Sequence, residues 1–312
     1  SNPTVKVRLD NLKKQEGRYI AHELFAADFA PMMFNELHHW LGPLNLSHVC
    51  SAEPLDDLAS LNFTDEQQTF LADIKDTVLV ESCKDIISNR QFRADFWIKG
   101  PDPLSEVETL EQLETYSFIL ASHPDDVKLQ VKGALGKAEL KGSIYQPLLK
   151  VFGKHEALGY RKVVKAMQDL GVSEDETSQA IEVLVSQSYL HVCAREKDSD
   201  LAKATTTELN NKITNHIFSP RSIGYLASSV IGGAIPVSKF NQLHAKNSGR
   251  GCNTAEDYAE AAWDVIKKNR VSITRGNQEL QSEEESRNHL AQHAKNYLNK
   301  VQPIFRALEI ID

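Results

Sequence analysis

His22 and Glu23 stand side by side in the stretch Tyr19-Ile20-Ala21-His22-Glu23-Leu24-Phe25. Read at the exit of a strand, an imidazole beside a carboxylate can hold or deprotonate a nucleophile such as an amine; it can also do no more than bond the local backbone. Asn89-Arg90-Gln91-Phe92-Arg93-Ala94-Asp95 is the second such run. On an extended strand, Arg90 and Arg93 flank Phe92 on alternate faces, so one guanidinium can turn inward and clamp a carboxylate. That clamp serves either as a salt bridge at a sheet edge or as a contact with substrate. His38-His39-Trp40 is the third. Adjacent helical residues point about 100° apart, so two such histidines do not chelate one ion and are read as helix-surface residues. The cysteines are Cys50, Cys83, Cys193 and Cys252, with no C-x-x-C pair. Cys193 has His191 nearby, but two ligands do not make a structural zinc site. Free thiols in a reducing cytoplasm are expected. No G-x-S-x-G, H-E-x-x-H or P-loop is present, so no catalytic residue and no metal ligand is assigned.

The chain has 312 residues and a formal net charge of −8. It is long enough for two or three domains with real cores. The negative balance argues against bulk attraction to nucleic acid or to anionic membranes. No apolar run reaches the length of a bilayer span, and no charged segment leads into an apolar one at the start. The opening Ser1-Asn2-Pro3 lacks Met and reads as the cut edge of a longer polypeptide.

Periodicity and punctuation lay out the elements. Residues 4–17 read as a short lead-in helix ending at Gly17. Phe34, Leu37 and Leu41 share one face of a helix over Met32–Leu41, and Gly42-Pro43 stops it. Leu46–Ser51 reads as a strand. Thr64 with Gln67 forms a capping box opening a helical stretch that runs to Ser88. Arg90–Lys99 reads as a second strand before Gly100-Pro101. Residues 101–117 form an acidic, proline-punctuated connector. Val127–Lys132 and Lys137–Lys141 form a hairpin around Gly133 and Gly136. Three helices follow, Ile144–Phe152, Tyr160–Leu170 and Glu174–Gln187, the last capped by Ser173 with Glu176. Then come a strand from Tyr189 and a turn at Lys197–Asp200, an order that suggests a winged helix. Beyond it lie a helix over Leu209–Phe218, a small-residue apolar segment over Ile223–Ile231 and a helix over Val237–Ala245. A Gly/Ser/Asn loop at Asn247–Asn253 leads to a helix capped by Thr254 with Asp257. The last is an amphipathic helix from Ser282 toward Leu308. Winged helices often read DNA with their third helix. Here that helix opens Ser173-Glu-Asp-Glu and holds no Arg or Lys up to Gln187, so phosphate would be repelled. Packing or protein docking is the expected role.

The Tyr19–Phe25 and Asn89–Asp95 runs resemble two stretches of the methyltransferase regulatory domain found in the C-terminal portion of bacterial S-adenosylmethionine (SAM) methyltransferases. The first stands in the family as Tyr-x-x-His-Glu-Tyr-Leu, with Leu24 here in place of the aromatic. The second stands as Asn-Arg-x-Phe-Arg. By this resemblance Tyr19, His22, Glu23, Arg90, Phe92 and Arg93 lie near the substrate or the catalytic half. Rickettsial-type protein lysine methyltransferases are among the relatives. A class I methyltransferase needs an acidic strand end and a glycine-rich turn to seat its donor. None of the pairs Gly133/Gly136, Gly232/Gly233 and Gly249/Gly251 follows such a strand. The resemblance therefore implies a portion without the donor site, with SAM bound by a domain upstream.

The expected fold is α+β and mostly helical. Residues 1–17 lead in. Residues 18–101 are the regulatory domain, whose helix–strand–strand order completes a methyltransferase sheet. Residues 102–117 are a linker, 118–206 a winged-helix-like domain and 207–312 a helical region. The expected partners are the SAM-binding domain of the same polypeptide and a protein substrate, with self-association compatible and neither nucleic acid nor membrane. The expected location is the cytoplasm. Two rival readings are a freestanding interaction adaptor and a winged-helix DNA-binding regulator.

Overall fold

A computed structural model describes residues 3–248, 251–275, 278–280 and 282–311. The Ser1-Asn2 opening, Gly249 with Arg250 in the Asn247–Asn253 loop, and Asp312 lie outside the described residues. The fold is α+β, with small antiparallel sheets among many helices. The chain divides into two units, one running to Ala52 and resuming at Asn62–Pro101, the other comprising Glu53–Leu61 and the chain from Asp102 onward.

The first unit holds α1 (Pro3–Leu12), α2 (Gly17–Leu24), α3 (Phe34–Leu41) and β1 (Leu46–Ser51). After the single turn α4 (Ala59–Asn62), which straddles the sequence boundary, come α5 (Asp65–Ala72), α6 (Thr77–Ser88) and β2 (Asp95–Lys99). The helical stretch expected from Thr64 to Ser88 is thus two helices. Thr64 and Gln67 cap the first reciprocally, and the Asp76 carboxylate accepts the Val78 and Leu79 N–H groups to start the second. β1 and β2 pair antiparallel, Leu46 opposite Lys99 and Ser51 opposite Asp95, with a bulge between His48 and Cys50. Alternation sends Trp97 and Phe96 to opposite faces. Trp97 stacks on Phe34 of α3, with ring centroids 5.7 Å apart. Phe96 and Ile98 on the other face are 56% and 46% exposed.

The second unit opens with α7 (Glu106–Glu114) and β3 (Ser117–Leu120). The stretch expected to be a plain connector therefore contains a helix, because Ser105 and Glu108 form a complete capping box. The hairpin β4 (Gln130–Gly133) and β5 (Gly136–Glu139) turns at Gly136, whose φ of +121° favours glycine. Then come α8 (Gly142–Val151), β6 (Leu158–Gly159), α9 (Tyr160–Gln168), α10 (Glu174–Ser186) and β7 (Leu190–Val192). The three-stranded sheet has the order β6-β3-β7, antiparallel throughout. β3 joins two cores. Phe118 and Leu120 enter one with Leu148, Met167 and Leu184; Ile119, one residue out of phase, enters the other with Leu226, Leu243 and Leu308.

The turn expected at Lys197–Asp200 is instead the first turn of α11 (Glu196–Asn215), so no hairpin wing follows β7. Glu196 and Asp198 sit at that helix's positive end. The apolar segment expected at Ile223–Ile231 is half of a hairpin, β8 (Tyr225–Ser228) with β9 (Gly233–Pro236). Its edge is closed by a side chain: the Asn210 amide donates to the Ala227 carbonyl and accepts the Ala227 N–H, both at 2.8 Å. Next are α12 (Lys239–Asn247), α13 (Ala255–Asn269), the two-residue strands β10 (Thr274–Arg275) and β11 (Gln278–Glu279), and α14 (Glu283–Asn296). The final helix runs on toward Leu308 as expected, with a π-helical stretch at Tyr297–Val301 between α14 and α15 (Gln302–Ala307).

Among the buried polar residues is a histidine in the core of the second unit. His244 on α12 is fully buried, and neither ring nitrogen has a hydrogen-bond partner. Its ring packs against Tyr297 at 5.0 Å, Tyr258 at 5.6 Å and His293 at 5.8 Å. Burial, with a smaller contribution from His293, holds its pKa down at about 3.

Candidate functional site

The residues singled out by the resemblance fall into two groups. Arg93 lies at the centre of the first. The loop 89–94 brings it over α6, where Glu81 and Asp85 stand one turn apart on one face. Its Nη2 donates to Glu81 Oε2 at 2.7 Å and its Nη1 to Asp85 Oδ1 at 2.9 Å. Its Nε and Nη2 grip both oxygens of Asp95 at 2.9 and 3.0 Å. The guanidinium also lies over the Phe34 ring, 4.4 Å from its centroid. His48 of β1 closes the cluster, with Nε2 3.5 Å from Asp95 Oδ1. Lys84 Nζ reaches Glu81 Oε1 at 2.6 Å, and Arg90 Nε lies 3.8 Å from Asp85.

Three cations thus face three carboxylates, and the side chains of Arg93 and its acids are nearly all out of water. Desolvation works against every charge here. For Glu81, hydrogen bonds from Lys84 and Arg93 outweigh it and hold the carboxyl below its usual range. For Asp85 burial wins over Arg93, and its pKa rises. The two acids differ because Asp85 receives one close bond where Glu81 receives two. Burial also opposes the Arg93 charge, but Asp95 and Glu81 reverse this and push its pKa above the ordinary arginine value. With all its hydrogen-bonding edges engaged, Arg93 is a strut that pins β2, α6 and α3 together.

The second group points outward. Tyr19, His22 and Glu23 lie on α2, a helix with no buried residue. The strand exit expected for His22 and Glu23 is therefore a helix face. Phe92, 76% exposed, tips the loop before β2. That loop also corrects the expected strand, which begins at Asp95 rather than Arg90, so the alternate-face argument for Arg90 and Arg93 does not hold. Both arginines turn to α6 instead. The structure brings Arg90 and Arg93 together with Glu81, Asp85, Asp95 and His48, four partners that sequence reasoning missed. Glu81 and Asp85 at i and i+4 were a legible signal.

The sheets are antiparallel, and the Gly232-Gly233 pair turns the β8–β9 hairpin rather than leading a strand into a helix. No group of three or more His, Cys, Asp or Glu among the described residues is placed to hold a metal. All four cysteines are free thiols, and burial pushes the Cys193 thiol up to about 11. Among the described residues no helix is long and apolar enough to cross a membrane.

Residues 16–99 match the family described as a predicted methyltransferase regulatory domain. The whole chain shares its fold with two structures of PKMT2 from Rickettsia typhi. One, in complex with AdoHcy, has a TM-score of 0.61 at 14% identity, and the other 0.59 at 13%; each match covers 99% of this chain and 64% of PKMT2. In sequence the chain is 26% identical over 309 residues to the uncharacterized protein sll1526 of Synechocystis sp., covering 99% of this chain and 60% of that protein. The chain thus spans about 60% of the length of the curated relative it matches.

Proposed function

We propose that this chain is the regulatory and substrate-recognition portion of a SAM-dependent methyltransferase, and that its β1–β2 ribbon completes the sheet of a SAM-binding catalytic domain lying upstream. The observation that carries this is the ribbon's bare apolar face. Two strands alone are marginally stable. Here one face is sealed by Phe34, while Phe96 and Ile98 stay exposed on the other. A bare apolar face beside open strand edges is the signature of a surface made to be covered. The order α3, β1, helical insertion, β2, with the strands antiparallel, supports a sheet-ending role. The greater length of the relatives and the AdoHcy complex of PKMT2 support a donor-binding domain elsewhere in the polypeptide.

In this reading SAM is bound by the upstream domain, and the partners are that domain and a protein substrate in the cytoplasm. Tyr19, His22, Glu23 and Phe92 are the groups presented outward toward substrate; Arg90 and Arg93 position them. Residues 118–206 serve as a docking module and 207–312 as a helical support. Changing Phe96 and Ile98 together to Glu tests the claim. Both sites are exposed, so this chain's stability should move by no more than about 0.5 kcal/mol. In the polypeptide extended upstream to the length of its relatives, AdoHcy affinity should fall at least about tenfold, as a charged face cannot be buried without a partner. Unchanged affinity there would remove the ribbon from the account.

A further inference from the structure

No lysine or arginine occurs between Arg18 and Lys75, although carboxylates recur through that stretch. The structure gathers part of it into a cleft of about 870 Å³, walled by the outer face of α3 (Glu36, His39, Trp40) and by Asp28 and Met32 of the preceding loop. Glu36 and Trp40 stand one helical turn apart, on the side of α3 away from the buried Phe34. The Trp40 indole is 70% exposed and Met32 46%. Glu36 is held in place: its Oε2 accepts the Met33 N–H at 2.7 Å, which leaves its other oxygen for a further donor. Among the described residues neither Asp28 nor Glu36 has a cationic partner, and no ring or guanidinium packs on Trp40.

A purely apolar occupant would strip water from two unpaired carboxylates, which is strongly unfavourable. The occupant must bring positive charge. An exposed indole favours the same ligand, because its face attracts an ammonium or guanidinium. A long apolar stem suits the thioether beside it.

We propose that this cleft docks a basic, extended peptide segment of a protein partner through one cationic side chain, its charge over Trp40 and paired with Asp28 and Glu36. This is a recognition surface rather than the place of methyl transfer, and it goes beyond the reading above, since binding needs no methyl donor. The probe is a short fluorescent peptide alternating glycine and lysine, titrated into the full 312-residue chain and followed by anisotropy. Saturable binding is expected at low salt, weakening as salt shortens the screening length. Acetylating the lysines should abolish it. Trp40→Ala should weaken it about fivefold. Asp28→Asn with Glu36→Gln, where glutamine keeps the Met33 cap, should weaken it about tenfold. Circular dichroism checks that each variant folds; if one does not, the other decides. Absence of saturable binding, equal binding of the acetylated peptide, or wild-type affinity in a folded variant would overturn the proposal, whatever a longer polypeptide does with AdoHcy.

Discussion

Arg93→Ala is expected to lower the stability of the first unit by about 3–5 kcal/mol, because it leaves Glu81, Asp85 and Asp95 buried without the charge that joins them. Lys84 bonds Glu81 at 2.6 Å and Arg90 Nε stands 3.8 Å from Asp85, beyond hydrogen-bond range, so the close bonds to Asp85 and to both oxygens of Asp95 go with Arg93. Arg93→Lys should recover less than half of the loss. A single ammonium keeps the charge but cannot fork across three carboxylates. Urea unfolding followed by tryptophan fluorescence measures this, with Trp97 packed on Phe34 beside the cluster as the reporter. A loss below about 1 kcal/mol would mean that Arg93 is held for another purpose, such as substrate contact.

His244 should make the second unit sensitive to acid. The sign follows from its depressed pKa. The folded state holds His244 neutral down to about pH 3, whereas the unfolded chain protonates near 6.5. Unfolding therefore takes up a proton, and stability is complete above pH 6.5 and falls as pH drops toward 3. Between pH 8 and pH 5 the loss from this one residue is about 2 kcal/mol. His293 is also held below its usual value, chiefly by burial, and adds in the same direction. Among the described residues the rings packed on His244 are Tyr258, Tyr297 and His293, and the charged neighbour that acts on it is His293. Denaturant melts across that range should show the decline in the native protein and a flatter profile in His244→Leu. An equal decline in both would place the proton elsewhere.

Local signals were the readable part of this fold. Thr64 with Gln67, Ser173 with Glu176 and Thr254 with Asp257 cap their helices as their spacing dictates, because each box is closed within one turn. β1 was readable over Leu46–Ser51 for the same reason, bounded by turn residues. Longer-range features were not. α11 was cut short because few of its residues are buried, so its apolar period is thin. β8 reads in the sequence only as part of a small-residue apolar segment, and the Asn210 clamp on Ala227 is supplied by α11. The π-helical stretch at Tyr297–Val301 carries no Pro or Gly of its own to mark it.

The same division holds for the site. The sequence marked the Arg90/Arg93 run as a clamp for a carboxylate but not which acids it holds, because Glu81 and Asp85 come from α6. It marked His22 and Glu23 as a pair but placed them on the wrong element, since a run of seven residues with mixed polarity does not separate strand from helix. The cleft at Trp40 was legible in another way. A stretch with many acids and no Lys or Arg between Arg18 and Lys75 is a charge pattern, and it can be seen without any structure.

The central claim is that the methyl-donor site lies outside this chain. Calorimetric titration of AdoHcy tests it most directly, run in parallel on the present 312 residues and on the polypeptide extended upstream to the length of its relatives. The account predicts no binding heat from the first and saturable binding from the second. Saturable, micromolar AdoHcy binding by the present chain alone would contradict it.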